Sequence, residues 1–254
     1  QALDIVITKI LNTTTAQVNL LDDYGNPTES NVSMTFYDDL SGKVRYNFIH
    51  TLNYMGNPDT LHMDPLPTYN LTVHTQPKVT KDSIKLTVGK HNMIGLNTPQ
   101  GSLKLTCDNN TNYRDLKFII RQSGKKKTLN VQKIEAEEKY LVGEYDLEVL
   151  TLPRIILKDV AIEQSHTTKI EIPKPGIANI MVPTKGYGDL FKKEKTGKLT
   201  RIYNLNSIDK KKSLVLQPGT YEITYRPKNM KRTMYTTRKT FTIDSGSSTT
   251  IRLY

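Results

Sequence analysis

The chain has 254 residues, a formal net charge of +11 and a single cysteine, Cys107. One cysteine excludes an intrachain disulfide bond, and we expect Cys107 to be a buried or half-buried strand residue. No apolar run approaches the roughly 18 to 20 residues that a membrane-spanning helix needs. The sequence shows no signal peptide and starts at Gln1, so we expect a processed or trimmed fragment.

The positive charge is concentrated in the last third of the chain. Residues 1–174 contain 20 basic and 20 acidic side chains, whereas residues 175–254 contain 16 basic and 5 acidic ones. A basic segment beside a neutral one indicates contact with an acidic surface of a partner, more than a general contribution to solubility.

The first residues have an ambiguous period. Leu3, Val6, Ile7, Ile10 and Leu11 follow helical spacing, so residues 1–15 are predicted to form a short helix and linker. An alternating strand that starts at Leu3 is the competing interpretation.

Residues 16–98 are predicted to be a first unit that opens with a strand, a turn and a second strand. Asp22, Gly25 and Pro27 supply the turn chemistry, and Val32, Met34 and Phe36 then alternate inward. The further strands predicted for this unit are Val44–Leu52, Leu61–Met63, Tyr69–Thr75, Ile84–Val88 and Asn92–Leu96.

Residues 99–174 and 175–254 are predicted to be a second and a third unit, again built from strands. The strands predicted for the second unit are Ser102–Thr106, Leu116–Arg121, Leu129–Lys133, Tyr140–Val142, Tyr145–Leu150, Ile155–Ile162 and Thr168–Ile172. Those of the third are Ala178–Val182, Leu190–Lys193, Leu199–Leu205, Ser213–Leu216, Thr220–Tyr225, Thr236–Ile243 and Thr249–Leu253. Short strands with turns every 8 to 12 residues are typical of antiparallel β-sandwiches. We therefore predict an all-β chain of three tandem sandwiches with transthyretin-like or immunoglobulin-like architecture.

The three units are copies of one another. Tyr69, Tyr145 and Tyr221 each open the same apolar strand, 76 residues apart, and are predicted to lie in the core. The third copy is five residues longer, and the extra residues fall between Lys228 and Lys239. The joints at residues 99–101 and 174–176 are too short for flexible tethers, which predicts a semi-rigid rod.

Two stretches resemble a known family. Val18 to Phe36, and Leu216 to Leu253 with its Pro-Gly-x-Tyr strand, resemble the carboxypeptidase-regulatory-like and Cna-B-like domains. That resemblance implies transthyretin-like sandwiches used as stalks and spacers in bacterial surface and periplasmic proteins. The arrangement also resembles the region after a von Willebrand factor A domain, in which residues 2–11 would be the last helix of that domain.

The chain departs from these families at two points. Some Cna-B-like domains form a Lys–Asn isopeptide bond, but the first unit has no first-strand lysine, and Thr168–Ile172 and Thr249–Leu253 contain no asparagine. We expect no such crosslink. The Asp-x-Ser-x-Ser metal motif of A domains is also missing, so the resemblance assigns no metal site.

No catalytic constellation is found among the polar residues, and we predict no enzyme activity, cofactor or metal. The five histidines do not have zinc-site spacing. Asp22, Asp23 and Asn26 could contact calcium, although a turn capped by its own aspartate is favoured. The Gly186-Tyr187-Gly188 stretch is interpreted as a glycine turn, not a phosphate loop, because no helix follows it.

The remaining candidate is a basic surface in the third unit. Its members are Lys192, Lys193, Lys195, Lys198, Arg201, Arg226, Lys228, Lys231, Arg232 and Arg238. Protection of edge strands and loops by lysine is the simpler interpretation. The alternative is an anionic partner: a polysaccharide, a lipid surface or an acidic protein. Nucleic acid is disfavoured, because tyrosines interleave with the charge but no nucleic-acid-binding fold is present.

These observations leave two hypotheses for the function. The first is a non-enzymatic structural or interaction region, such as a stalk or spacer, in a bacterial extracytoplasmic protein of the periplasm or cell surface. The second is a binding module whose basic third unit holds an anionic partner.

Overall fold

The computed structural model describes residues 13–108, 113, 115–205 and 208–254. Within these ranges the chain is almost entirely β-structure. The helical residues are Thr13 and the 3₁₀ turn Thr233–Tyr235. The strands form six sheets. The prediction of an all-β chain of tandem sandwiches is confirmed. Residues 1–12 of the predicted N-terminal helix and linker lie outside the described ranges; of the remaining three, Thr13 is helical and Thr15 begins the first strand.

The first repeat has seven strands in two sheets. The strands are β1 (Thr15–Leu21), β2 (Val32–Asp38), β3 (Val44–His50), β4 (Thr60–His62), β5 (Tyr69–Val73), β6 (Val79–Ile84) and β7 (His91–Asn97). One sheet has the order β4-β1-β7 and the other β3-β2-β5-β6. β1 pairs with β4 in antiparallel and with β7 in parallel orientation.

The second and third repeats reproduce this strand order. The strands of the second repeat are β8 (Gln100–Thr106), β9 (Lys117–Gln122), β10 (Asn130–Lys133), β11 (Glu137–Leu141), β12 (Gly143–Val149), β13 (Ile155–Ile162) and β14 (Thr167–Glu171). Those of the third are β15 (Gly176–Met181), β16 (Gly186–Lys193), β17 (Leu199–Asn204), β18 (Lys211–Leu216), β19 (Gly219–Pro227), β20 (Thr237–Ile243) and β21 (Ser248–Arg252). Their sheets are ordered β11-β8-β14 with β10-β9-β12-β13, and β18-β15-β21 with β17-β16-β19-β20. The sequence repeat is therefore a repeat of topology.

Alternating apolar residues explain why these segments form strands. In β1, Ala16, Val18 and Leu20 are buried while their neighbours are partly exposed, which is the period of two expected for a sheet with one covered face. In the first core Phe36 meets Tyr69 edge-to-face, with ring centroids 6.0 Å apart. Full burial of each such side chain contributes about 1.5–3 kcal/mol relative to exposure.

One strand of the first repeat lies earlier than the sequence predicts. The prediction placed it at residues 84–88, but β6 ends at Ile84. Residues 80–83 of β6 are polar and exposed, because β6 is at an edge of its sheet, so they carry no alternating apolar signal. The apolar residues that follow are still used, since Leu86 is buried in the core.

Two repeats share a residue with a positive φ in their sixth strand, which the third repeat lacks. In the first repeat this residue lies at a bulge between β5 and β6. Ser83 adopts a positive φ of 56°, and its amide donates to Oδ1 of Asn70 at 2.9 Å. Asp159, 76 residues later, has a φ of 52°, and its amide donates to Oδ1 of Asp146 at 3.4 Å. In the third repeat Glu222 stands where Asn70 and Asp146 stand in the others, and its partner is instead Arg238.

The joints between consecutive repeats use the same hydrogen bond. The amide of Leu141 donates to the carbonyl oxygen of Gln76 at 2.8 Å, and the amide of Gln217 donates to that of Leu152 at 2.8 Å. The two pairs are 76 residues apart. Leu152 also packs against the core of the third repeat.

Each joint has a second polar contact of its own. At the first joint the buried Glu29 accepts bonds from the amide of Gln100 at 3.1 Å and from its side chain at 3.2 Å. At the second, Nε2 of Gln217 donates to the hydroxyl of Tyr113 at 2.6 Å.

By internal contacts the chain separates into two compact units. The first comprises Gln1–Leu103, Glu137–Tyr145 and Val160–Thr168, and the second Lys104–Ala136, Asp146–Asp159 and Lys169–Tyr254. The middle repeat thus contributes strands to both units. The predicted domain boundaries at residues 16, 99 and 175 stay predictions.

Candidate anion-binding surface

Four of the ten candidate cations lie at one end of the four-stranded sheet of the third repeat, β17-β16-β19-β20. Lys192 and Lys193 end β16, and Lys195 and Lys198 lie in the turn that leads to β17. The turn is closed by bonds of 2.9 Å from the amide of Glu194 to the carbonyl of Lys198 and from the amide of Gly197 to the carbonyl of Glu194. All four lysines are exposed. We call them the hairpin group.

Four other candidates lie at the opposite end of the same sheet. The loop group is Arg226, Lys228, Lys231 and Arg232, at the end of β19 and in the loop that follows it. The amide of Lys228 donates to the carbonyl of Lys185 at 2.9 Å, which fixes the start of the loop against the segment before β16.

The strand register separates these two groups. β16 and β19 are antiparallel, with Lys192 opposite Tyr221 and Gly186 opposite Pro227. Six residues of strand at about 3.3 Å each separate the two ends by roughly 20 Å. The structure therefore divides the sequence-predicted surface into two groups of cations.

The two remaining arginines are paired between those ends. Nε of Arg201 donates to Oδ1 of Asp189 at 2.7 Å, and Nε of Arg238 donates to Oε1 of Glu222 at 3.0 Å. Their charges are balanced by acids on neighbouring strands. Because they are neutralised by these acids, the two arginines contribute less than the lysines to any electrostatic field felt by a partner.

The three repeat tyrosines lie in the interior. Tyr69, Tyr145 and Tyr221 are at most 2% exposed. Each hydroxyl donates to a backbone carbonyl four or five residues upstream: that of Asp64 at 2.6 Å, Leu141 at 2.7 Å and Gln217 at 2.5 Å. Burial raises the pKa of Tyr145 to about 12. This is the arrangement of the tyrosine corner found in immunoglobulin-like sandwiches.

A charged cleft on the second repeat was not predicted. It has a volume of about 470 Å³ and is lined by Arg121, Asp146, Glu148, Lys158 and the hairpin that carries Lys125 and Lys126. Glu148 pairs with Arg121 at 2.9 Å and also with Arg154, and Asp146 pairs with Lys158 at 2.6 Å. These cations lower the pKa of both carboxyl groups. Asp146 and Glu148 alternate with the apolar residues of β12, so the sequence did contain the signal that they face outward.

Two stretches singled out in the sequence, the turn at Asp22 and residues 186–188, have structural roles. Oδ1 of Asp22 accepts from the amides of Tyr24 at 2.9 Å and Asn26 at 2.7 Å, which confirms a turn capped by its own aspartate. The glycine turn predicted at residues 186–188 is wrong, because these residues begin β16. A Cβ at Gly186 would lie 2.4 Å from the carbonyl oxygen of Arg226, so glycine is needed there for close strand approach.

The histidines are dispersed. Nε2 of His50 lies 2.9 Å from the carbonyl of Val18, and Nε2 of His74 lies 2.8 Å from the hydroxyl of Thr35. Among the described residues, no three His, Cys, Asp or Glu side chains are grouped as a metal site would need. In the same part of the chain no helix has the length and apolar character to cross a membrane.

The sequence matches no protein-family model and no curated protein. Among solved structures, a streptococcal ancillary pilin is 11% identical, with a TM-score of 0.32 over 95% of this chain and 99% of that one. The Bacillus anthracis TIE protein is 14% identical, with a TM-score of 0.26 over 94% of this chain, which spans 50% of the TIE protein. BcpA, the major pilin subunit of Bacillus cereus, is 9% identical, with a TM-score of 0.21 over 94% of this chain and 98% of BcpA. The fold of this chain is defined by its own strand order.

Proposed function

We propose that this chain is a non-enzymatic structural region of a bacterial extracytoplasmic protein, in which the sandwich repeats act as a spacer or stalk. The observation that carries the proposal is the recurrence of one joint bond, Leu141 to Gln76 and Gln217 to Leu152, in the same register. A spacer must transmit position from one repeat to the next. A joint in which backbone groups are paired resists bending better than a free tether does.

The polar groups described above support the same proposal. Acids of the four-stranded sheets accept bonds from neighbouring cations, as Asp146 does from Lys158 and Glu222 from Arg238. The repeat tyrosines are buried in hydrogen-bonded corners. These groups are thus paired within the fold, as expected for a repeat with a structural role.

Nuclear magnetic resonance (NMR) relaxation of the full chain tests the spacer proposal. Repeats fixed to one another tumble together, so backbone ¹⁵N relaxation should give one rotational correlation time across all three. A shorter correlation time for any repeat would show a flexible tether and contradict the proposal. Turnover of a panel of esters, glycosides or peptides would contradict its non-enzymatic part, and fractionation of the source bacterium tests the extracytoplasmic location.

The A domain that the resemblance places before residue 1 stays a prediction. The sequence of the full-length gene product tests it directly, since an A domain would carry the Asp-x-Ser-x-Ser metal motif upstream of Gln1.

We propose, as a second function, that the third repeat binds an anionic partner. The observation in its favour is that the hairpin and loop groups hold eight exposed or half-exposed cations, while the acids Asp189 and Glu222 are already paired with Arg201 and Arg238. The net positive field of this repeat is therefore not balanced locally.

Retention of the full chain on heparin as a function of salt tests this second function. Replacing Lys193, Lys195 and Lys198 by glutamine should move elution to lower salt. The matched control replaces Lys125, Lys126 and Lys127, which occupy the corresponding hairpin of the second repeat. Equal shifts from both triple variants would mean that the third repeat has no special role.

A further inference from the structure

The loop that follows β19 is where the third repeat differs from the other two. Residues 228–239, here called the insertion loop, contain the five extra residues of this copy, and the last three residues of the loop begin β20. The loop carries five cations and no acidic residue. Every residue from 228 to 239 is exposed. Because the loop contributes nothing to the core, its composition is not dictated by folding.

Apolar side chains are exposed within this cationic loop. Met230, Met234 and Tyr235 are 40%, 74% and 44% exposed. Met234 and Tyr235 belong to the 3₁₀ turn Thr233–Tyr235. This turn is closed by a bond from the amide of Thr236 to the carbonyl of Thr233 at 2.9 Å. Next to the loop, Tyr187 is also exposed and lies opposite Arg226 in the strand register.

We propose that the insertion loop is a docking surface for an anionic lipid bilayer. Met230, Met234 and Tyr235 enter the boundary between head groups and acyl chains, while Lys228, Lys231 and Arg232 contact the anionic head groups. Apolar side chains among basic ones are what binding at a membrane interface requires, since apolar burial and attraction to anionic lipid act together. Tyrosine, with an apolar ring and a polar tip, suits this interface.

The apolar residues favour a bilayer over a soluble polyanion. A sulfated or phosphorylated polymer would neutralise the cations but would leave two thioether side chains in water. A bilayer surface covers both kinds of group. The inference rests on the second proposed function, anion binding by the third repeat, and adds to it the site and the chemical class of the partner.

Vesicle sedimentation with the full chain tests the docking surface. The chain should bind vesicles of phosphatidylcholine and phosphatidylglycerol and not those of phosphatidylcholine alone. The variant K228Q/K231Q/R232Q should lose about fivefold in vesicle affinity for each cation removed. The variant M230S/M234S/Y235S, which keeps every charge, should lose roughly tenfold or more in vesicle affinity. Its salt-dependent retention on heparin should be unchanged.

The hairpin group provides the matched control. The variant K193Q/K195Q/K198Q removes the same number of charges from the opposite end of the sheet and should weaken vesicle binding less than the loop charge variant does. Equal losses from the two charge variants would overturn the docking surface. Unchanged vesicle binding by M230S/M234S/Y235S would overturn it too, while leaving anion binding intact.

Two further outcomes separate this inference from the proposal on which it depends. Heparin retention without vesicle binding would overturn lipid docking and leave a soluble polyanion or an acidic protein as the partner. If the full chain showed neither heparin retention nor vesicle binding, anion binding by the third repeat would be overturned altogether. Circular dichroism of each variant should match that of the unmodified chain, because the substituted side chains lie outside the core.

Discussion

The amide of Gln217 donates a 2.8 Å hydrogen bond to the carbonyl oxygen of Leu152, and through this bond the third repeat is joined to the second. The first joint has the same bond between Leu141 and Gln76. Because the joint recurs with the period of the fold, the repeating element is a sandwich together with its connection to the next. The side chains around that common bond differ, as Gln217 contacts Tyr113 at the second joint while Gln100 contacts Glu29 at the first.

Tyr113→Phe should weaken the second joint. The change removes the hydroxyl that accepts from Nε2 of Gln217, and Gln217 is buried, so a side-chain donor loses its partner. Leaving such a group unsatisfied costs about 1–3 kcal/mol. Native-state hydrogen exchange at the amide of Gln217 should speed up accordingly. Tyr24→Phe, at an exposed tyrosine, is the control and should leave that exchange rate unchanged.

Tyr221→Phe should destabilise the third repeat. The hydroxyl of Tyr221 donates to the carbonyl of Gln217 in a buried site, and its loss leaves an acceptor without this donor. We expect the free energy of unfolding to fall by about 1–2 kcal/mol. Chemical denaturation measures the change, and Tyr187→Phe, at a half-exposed tyrosine on β16, is the matched control. If Tyr221→Phe were as stable as that control, the hydroxyl bond would contribute nothing to the free energy of unfolding, and Tyr221 would stabilise the repeat by packing alone.

The sequence predicted the fold well because most strands alternate between buried apolar and exposed polar residues. It failed at β6, whose residues Thr80 to Ser83 are exposed at a sheet edge, so that no alternation marks the strand. It also failed at Gly186 and Gly188, where the absence of a side chain serves close strand approach within β16 and does not mark a turn. In both cases a tertiary contact decides the local structure.

The candidate site was less predictable because it depends on strand register. Composition shows an excess of cations in the third repeat, but it does not show that β16 and β19 place the hairpin and loop groups at opposite ends. The pairing of Arg201 with Asp189 requires neighbouring strands whose register shifts at a bulge between Leu190 and Phe191. A single sequence contains no clear signal for that shift.

Ser83→Gly should stabilise the first repeat. Ser83 adopts a positive φ of 56°, in a region where a side chain costs roughly 1 kcal/mol and glycine does not. Its amide bond to Asn70 does not involve its own side chain and should persist. We expect a gain of about 0.5–1 kcal/mol in the free energy of unfolding. Thr80→Gly, at a regular position of β6, is the control and should destabilise the repeat, because glycine in a strand interior loses more chain entropy on folding. A loss of stability from Ser83→Gly would show that the bulge depends on the serine side chain.

The pair of Asp38 and Arg45 should make the first repeat sensitive to acid. Oδ2 of Asp38 accepts from Nε of Arg45 at 3.1 Å and from its terminal nitrogen at 2.7 Å, while Oδ1 accepts from the amide of Ser41 at 2.9 Å. The bonds from Arg45, followed by those from Ser41, lower the pKa of Asp38 to about 2. An aspartate in an unfolded chain has a pKa of about 3.9. The folded-state pKa is therefore the lower one, so the stabilisation is complete above about pH 4 and is lost as the pH falls toward 2.

An NMR titration of the Asp38 carboxyl should show its pKa rising toward the ordinary value in Arg45→Gln. The rise should be only partial, because the Ser41 bonds remain. Lys158→Gln, which removes the partner of Asp146 in the second repeat, should leave the pKa of Asp38 unchanged. A pKa of Asp38 that did not respond to Arg45→Gln would mean that Ser41 alone holds the charge.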